Sequence, residues 1–120
     1  LKIIIVEDAP NIRTNLKKFF SELKELNISG EAEDSESAIS LINETKPDII
    51  ILDVELKKGS GFDVLKYVKG DKYASNSIVI MFSNHTKLYK EKAKAAKADY
   101  FFDKTDEVDK LLFTIHELCM

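Results

Sequence analysis

Five polar residues in this chain stand at or just behind the end of a short apolar run. Glu7 and Asp8 follow Ile3–Val6, Asp53 follows Ile49–Leu52, Ser83 follows Ile78–Phe82, and Lys104 comes two residues after Tyr100–Phe102. Acids at the carboxyl ends of buried parallel strands occupy the rim where open α/β sheets bind ligands. Three carboxylates crowded there would repel, since like charges ~4 Å apart cost about 4 kcal/mol at an effective dielectric of 20. The cluster calls for a cation, and hard oxygen ligands suit Mg²⁺, which is typically held by one or two carboxylates together with a phosphate. A lysine and a hydroxyl on the far side would complete a phosphate cradle. Plainer roles are also open: Glu7-Asp8 before Pro10 and Ser83-Asn84 before a helix can act as caps. Asp53 can simply end a strand, and a lysine after a strand is usually just solvated. The joint placement favours chemistry.

The elements that must position these residues alternate in the manner of βα units on a parallel sheet. Ile3–Val6 reads as the first strand, and a helix opening at Pro10 carries Ile12, Leu16, Phe19, Phe20, Leu23 and Leu26 on one stripe. A weaker strand lies around Ile28 to Glu33, and a helix from about Ser35 buries Ala38, Ile39 and Ile42 before Pro47 closes it. Ile49–Leu52, three of its four residues β-branched, reads as a central strand buried on both faces. Ser60-Gly61-Phe62-Asp63 has the form of a capping box for a helix carrying Phe62, Leu65 and Val68. Gly70 to Asn76 is a polar connection to the fourth strand. The fourth helix, Thr86 to Lys97, offers only Leu88, Tyr89, Ala93 and Ala96 as inward residues against five lysines, which predicts a loosely held, partly exposed element. Tyr100–Phe102 is the fifth strand, and the last helix carries Val108, Leu111, Leu112, Ile115 and Leu118.

The 120 residues are most simply one domain, 1–120. With 44% apolar and 32% charged residues and a net charge of -3, the chain has an ordinary globular composition without the basic footprint of nucleic-acid binding. No apolar run approaches the ~18 residues of a membrane span. Cys119 has no internal partner, which suits a reducing cytoplasm. The chain opens on strand-like Leu1-Lys2-Ile3 without an initiator Met, as a trimmed chain would, and ends on the fifth helix, leaving room for an effector domain beyond it.

Taken together, these residues resemble the receiver domain of two-component response regulators, the family of the bacterial chemotaxis regulator, over the whole chain. Glu7-Asp8 looks like the family's acidic pair, Asp53 like its phospho-accepting aspartate, and Gly61 like the glycine that follows it. Ser83 looks like its Ser/Thr, Lys104 like its lysine, and Phe101 like its switch aromatic. The resemblance implies a flavodoxin-like doubly wound (βα)5 fold with a parallel sheet in the order 2-1-3-4-5. It further implies phosphoryl transfer to Asp53 from a sensor histidine kinase or a histidine phosphotransfer protein, with Mg²⁺ or Mn²⁺ as cofactor. Asp8 and Asp53 would be direct metal ligands, Glu7 would act through a water, and the backbone carbonyl of Glu55 would supply a further oxygen. Ser83 and Phe101 would carry the signal to the face formed by the fourth helix, fifth strand and fifth helix. There Lys90, Lys94 and Lys97 offer charges for a homodimer, while neither nucleic acid nor membrane is implied as a partner of this domain.

The chain also departs from the family pattern. Lys57 and Thr105 stand where prolines are frequent, so Lys104 is expected to be positioned differently and without a cis-proline bond. Asn84, His85 and Glu55 occupy places that tune the lifetime of the phosphoryl group. Two other readings use the same residues. Asp53-Val54-Glu55 resembles the Asp-x-Asp of haloacid-dehalogenase phosphatases, although that motif belongs on the first strand of a larger enzyme. A flavin-binding electron carrier would share the fold, but Glu7-Asp8-Ala9-Pro10 would repel its phosphate.

Overall fold

The computed structural model describes residues 1–73 and 76–120. Five strands, β1 (Lys2–Val6), β2 (Asn27–Ala32), β3 (Ile49–Leu52), β4 (Ile78–Ser83) and β5 (Tyr100–Asp103), alternate with five helices. The helices are α1 (Pro10–Phe20), α2 (Ser35–Thr45), α3 (Gly61–Val68), α4 (Thr86–Ala95) and α5 (Val108–Leu118). All strand pairs are parallel and the order is β2-β1-β3-β4-β5, the doubly wound arrangement expected. Among the described residues, no helix is long and apolar enough to cross a membrane.

The alternation of side chains along each strand divides the apolar residues into two cores. Ile4, Val6, Ile50, Leu52, Val79 and Met81 face α2, α3 and α4, where they meet Ala38, Ile42, Val64, Leu65 and Ala93. Ile3, Ile5, Ile49, Ile51, Ile80 and Phe82 face α1 and α5, where they meet Leu16, Phe20, Leu111 and Ile115. Because β1 and β3 are covered on both faces, their isoleucines are almost wholly removed from water, each contributing about 1.5–3 kcal/mol.

Several expected boundaries shift. The stripe assigned to the first helix runs past its end: α1 stops at Phe20, and Leu23 and Leu26 lie in tight turns closed by Leu23 N–H to Phe20 O and Leu26 N–H to Leu23 O. Leu26 is still buried, but from a turn rather than from the helix. The second strand begins and ends one residue early, and its pairing with β1 slips between Ile3 and Ile4. The fourth helix ends at Ala95, with Lys97 left-handed at φ 70°, and Leu88 is 69% exposed rather than inward. Tyr89 and Ala93, one turn apart, do face the sheet as expected, and Tyr89 meets the Phe62 ring edge-on. Only Ala93 of this helix is fully buried, so its weak anchoring holds. The expected box at α3 is present: Ser60 Oγ accepts from Phe62 N–H, and Asp63 accepts from Ser60 N–H.

In the Gly70 to Asn76 connection, Ala74 and Ser75 lie outside the described residues. Tyr73 in that segment is not polar filling but a buried anchor, its hydroxyl paired with Ser77 Oγ at 2.8 Å, which in turn donates to Pro47 O.

Candidate functional site

Strand register brings the five polar positions together. Val6 pairs with Leu52, so Glu7 and Asp53 leave adjacent strands side by side, with Asp53 N–H donating to Val6 O. Ser83 pairs with Asp103, and the next residue, Lys104, donates its N–H to Ser83 O at 3.0 Å. One carboxylate oxygen from each of Glu7, Asp8 and Asp53 lies within 4.8 Å of the other two. Glu7 is 2% and Asp53 5% exposed, while Asp8 is half-buried.

Lys104 is not solvated. Its side chain is 10% exposed, and its Nζ bridges Glu7 Oε1 at 2.5 Å and Asp53 Oδ2 at 2.8 Å. Burial works against the ammonium, but hydrogen bonds to Asp53 and Glu7 outweigh it and raise its pKa above the ordinary lysine value. Burial likewise pushes the Glu7 carboxyl up to about 7, against the opposing hydrogen bond from Lys104 and with further upward pressure from the charge of Asp53. Glu7 Oε2 also accepts from Ala9 N–H at 3.1 Å, while the N-cap of α1 is Ala9, whose side chain caps nothing. Glu7 therefore steadies the start of α1, but its other oxygen belongs to the acid cluster.

Ser83 does not cap α4. His85 holds that position, in a left-handed conformation (φ 57°) and without a side-chain cap bond. Ser83 Oγ is fully buried and has no hydrogen-bond partner among the described residues. A buried hydroxyl left unpaired costs roughly 1–3 kcal/mol. Glu55 lies outside the acid cluster: its side chain is more than half exposed, with Oε1 3.6 Å from His85 Nε2. Asn84 is exposed beside them, and Phe101 is half-buried against the α2–α4 core. Gly61 packs directly on the backbone of Asp53: a Cβ there would stand 2.1 Å from Asp53 O.

The donor set fits a hard divalent cation. One oxygen from each of three carboxylates meets the others within 4.8 Å, and among the described residues Lys104 alone is ion-paired with them.

Glu7 has a measurable consequence in metal-free protein. Its folded pKa is raised, so between pH 4.5 and about 7 the folded chain keeps a proton that the unfolded chain has released. Stability from this group is therefore lost as pH rises through that window, by up to ~3 kcal/mol. Urea denaturation in EDTA at about pH 5 and about pH 8 should show the decline in wild type and a smaller one in Glu7→Gln. The depressed carboxyls of Asp34 and Asp103 titrate below this window.

Comparison with known proteins agrees with this architecture. The family model of the response regulator receiver domain matches residues 3–116. The chain is 28% identical over 115 residues to the nitrate/nitrite response regulator protein NarL of Escherichia coli, covering 96% of this chain and 53% of that one. It is 33% identical over 108 residues to the sensory transduction protein LytT of Bacillus anthracis, covering 89% and 43%. It thus spans about half the length of the curated relatives it matches. Among solved structures, the signal receiver domain of a DNA-binding response regulator from Colwellia psychrerythraea superposes with a TM-score of 0.87 at 27% identity, covering 98% of this chain and 97% of that one. With strand order, acid cluster and family model in agreement, the chain belongs to the response regulator receiver domains.

Proposed function

We propose that residues 1–120 form one phospho-accepting receiver domain, which takes a phosphoryl group from a histidine kinase or a histidine phosphotransfer protein onto Asp53. The observation that carries this reading is the buried Asp53 carboxylate at the end of the central strand, 2.8 Å from the Lys104 ammonium. An oxygen of Asp53 attacks the phosphorus of a phosphohistidine. The O–P bond forms as the N–P bond breaks, the electron pair stays on the imidazole nitrogen, and an aspartyl phosphate results. Lys104, already desolvated, offsets charge on the phosphoryl oxygens, which is where phosphoryl transfer needs help. Ser83 donates its unpaired hydroxyl to one of those oxygens. Asp8, Asp53, Glu7 and the backbone carbonyl of Glu55 would hold Mg²⁺ or Mn²⁺, which would supply further charge neutralisation there. The domain acts as a cytoplasmic switch rather than as an enzyme turning over a free substrate. Glu55, turned toward His85, is poorly placed to be the second acid of a phosphatase.

The signal leaves through Ser83 and Phe101. Movement of Ser83 toward the phosphoryl group opens space that Phe101 can fill, and with no hydroxyl to pair, its inward state rests on apolar burial. The weakly anchored α4 then reshapes the face it forms with β5 and α5, the surface for an effector or a second copy.

The test is labelling with acetyl phosphate in Mg²⁺. One phosphoryl group should appear on the peptide carrying Asp53 and none in EDTA; a label on Asp8, or none with Mg²⁺ present, would overturn the reading. Separately, calorimetry should find divalent-cation binding to the wild type and roughly tenfold or greater weakening in Asp8→Ala.

A further inference from the structure

Asp103 is the last residue of β5 and immediately precedes Lys104, and its carboxylate is engaged from three directions. Oδ1 accepts from Thr105 N–H at 2.7 Å and from Asp106 N–H at 3.3 Å. Oδ2 accepts from the hydroxyl of Thr86, the first residue of α4. The backbone closes the same turn: Asp103 N–H donates to Glu107 Oε1 at 3.0 Å, and Glu107 N–H returns to Asp103 O at 2.9 Å. Lys110 holds the other oxygen of Glu107. Lys104 sits inside this closed loop, with its own N–H committed to Ser83 O.

Lysine is long and flexible, so an ammonium that bridges two buried carboxylates needs its backbone fixed first. We propose that Asp103 is the positioning residue for Lys104: its side chain closes the 103–107 turn and so aims the ammonium at Asp53. This rests on the reading of Asp53 as phospho-acceptor with Lys104 beside the phosphoryl group. The turn is a side-chain mimic of a backbone turn, in which an Asx oxygen catches the N–H two residues on, and it needs an acceptor at a set reach rather than a charge. The hydrogen bonds from Thr86 and Thr105 also hold the carboxyl below its ordinary range, which keeps both oxygens available as acceptors. Through Thr86 the same carboxylate ties the start of α4, which has no cap side chain of its own, to the loop that carries Lys104.

Geometry and charge separate in three variants. Asp103→Asn keeps an oxygen at the same reach, Asp103→Glu keeps the charge but overshoots, and Asp103→Ala has neither. The maximal rate of acetyl phosphate labelling at saturating Mg²⁺ should fall roughly tenfold or more in Ala and Glu, since a displacement of about 1 Å can cost that much. Asn should stay within about threefold of wild type, and Mg²⁺ affinity should change little in all three. The Cε resonance of Lys104, followed by ¹³C NMR without any phosphoryl donor, should move in Ala and Glu and stay in Asn. Wild-type rates in Ala, or a fast Glu with a slow Asn, overturn the proposal. If Ala does not fold, the Glu and Asn pair decides. If the wild type takes no label, the phospho-acceptor reading fails, while the Lys104 resonance still judges Asp103.

Discussion

Asp53→Asn is expected to abolish labelling by small phosphoryl donors altogether while leaving the fold intact. An amide nitrogen is no nucleophile for phosphorus, and the remaining amide oxygen is a far weaker one than a carboxylate. The substitution keeps size and shape at a position that is 5% exposed, and the amide oxygen can still accept from Lys104. What disappears is one of three crowded charges. Burial and then the Asp53 charge raise the Glu7 carboxyl, so removing that charge should bring Glu7 back toward its ordinary range. Metal-free stability at neutral pH should hold or rise by ~1 kcal/mol, because like-charge repulsion is relieved. Labelling followed by mass spectrometry and urea denaturation check the two halves separately. A retained label would place the acceptor elsewhere, and a large loss of stability would mean that Asp53 is a structural ion-pair partner first.

Gly61→Ala is expected to lower stability by about 3 kcal/mol and to disorganise the acid cluster as well. A methyl group at this buried position would lie 2.1 Å from Asp53 O, 2.9 Å from Asp53 C and 3.0 Å from Val54 Cα. All three are backbone atoms, so no side-chain rotation relieves the clash. The loop is pinned as well: Gly61 N–H donates to Val54 O at 2.8 Å, and Glu55 pairs with Ser60 in a single antiparallel bridge. Relief must move either the start of α3 or the end of β3, and the latter carries Asp53 off its register. Thermal denaturation should show a fall of roughly 10 °C, with Mg²⁺ affinity and labelling lost together. Gly70→Ala is the control, because its nearest contact, Lys66 O at 3.0 Å, lies on an exposed helix end that can give.

The strands and the placement of polar residues at their ends were the most legible parts of the sequence. β1, β3 and β4 announce themselves because continuous isoleucine-rich runs are what two-sided burial requires, and a polar residue closing such a run must lie on the sheet's rim. β2 is fainter, since Ser29 and Gly30 interrupt it and it lies at a sheet edge. Leu88 and Tyr89 are both apolar enough to face inward, but adjacent helical residues cannot share one stripe, and it is Tyr89 that meets Phe62 while Leu88 is exposed. Lys104 read as an ordinary solvated lysine when taken alone, because its two partners lie far away in the chain. Asp103 gave no signal either, being one more acid after a strand. The clue was its neighbour: Thr105, unlike a proline, leaves an N–H for the Asp103 carboxylate to catch. Tyr73 was hidden within a polar segment, its partners Ser77 and Pro47 belonging to other parts of the sheet's lower edge.

Among the described residues, the two hydrophobic cores have no side chain in common and are separated by the backbone of the sheet. Residues without common partners combine their effects nearly additively, so the sheet works as a firebreak against epistasis. The energetic cost of a substitution among Ala38, Val64 and Ala93 should therefore be nearly the same whether or not Leu16, Phe20, Leu111 or Ile115 has changed, although both layers draw on one small total stability. The exception is the rim, where Lys104 ties Glu7 to Asp53 across neighbouring strands and Thr86 ties α4 to the approach to α5. There the history of one side constrains the other.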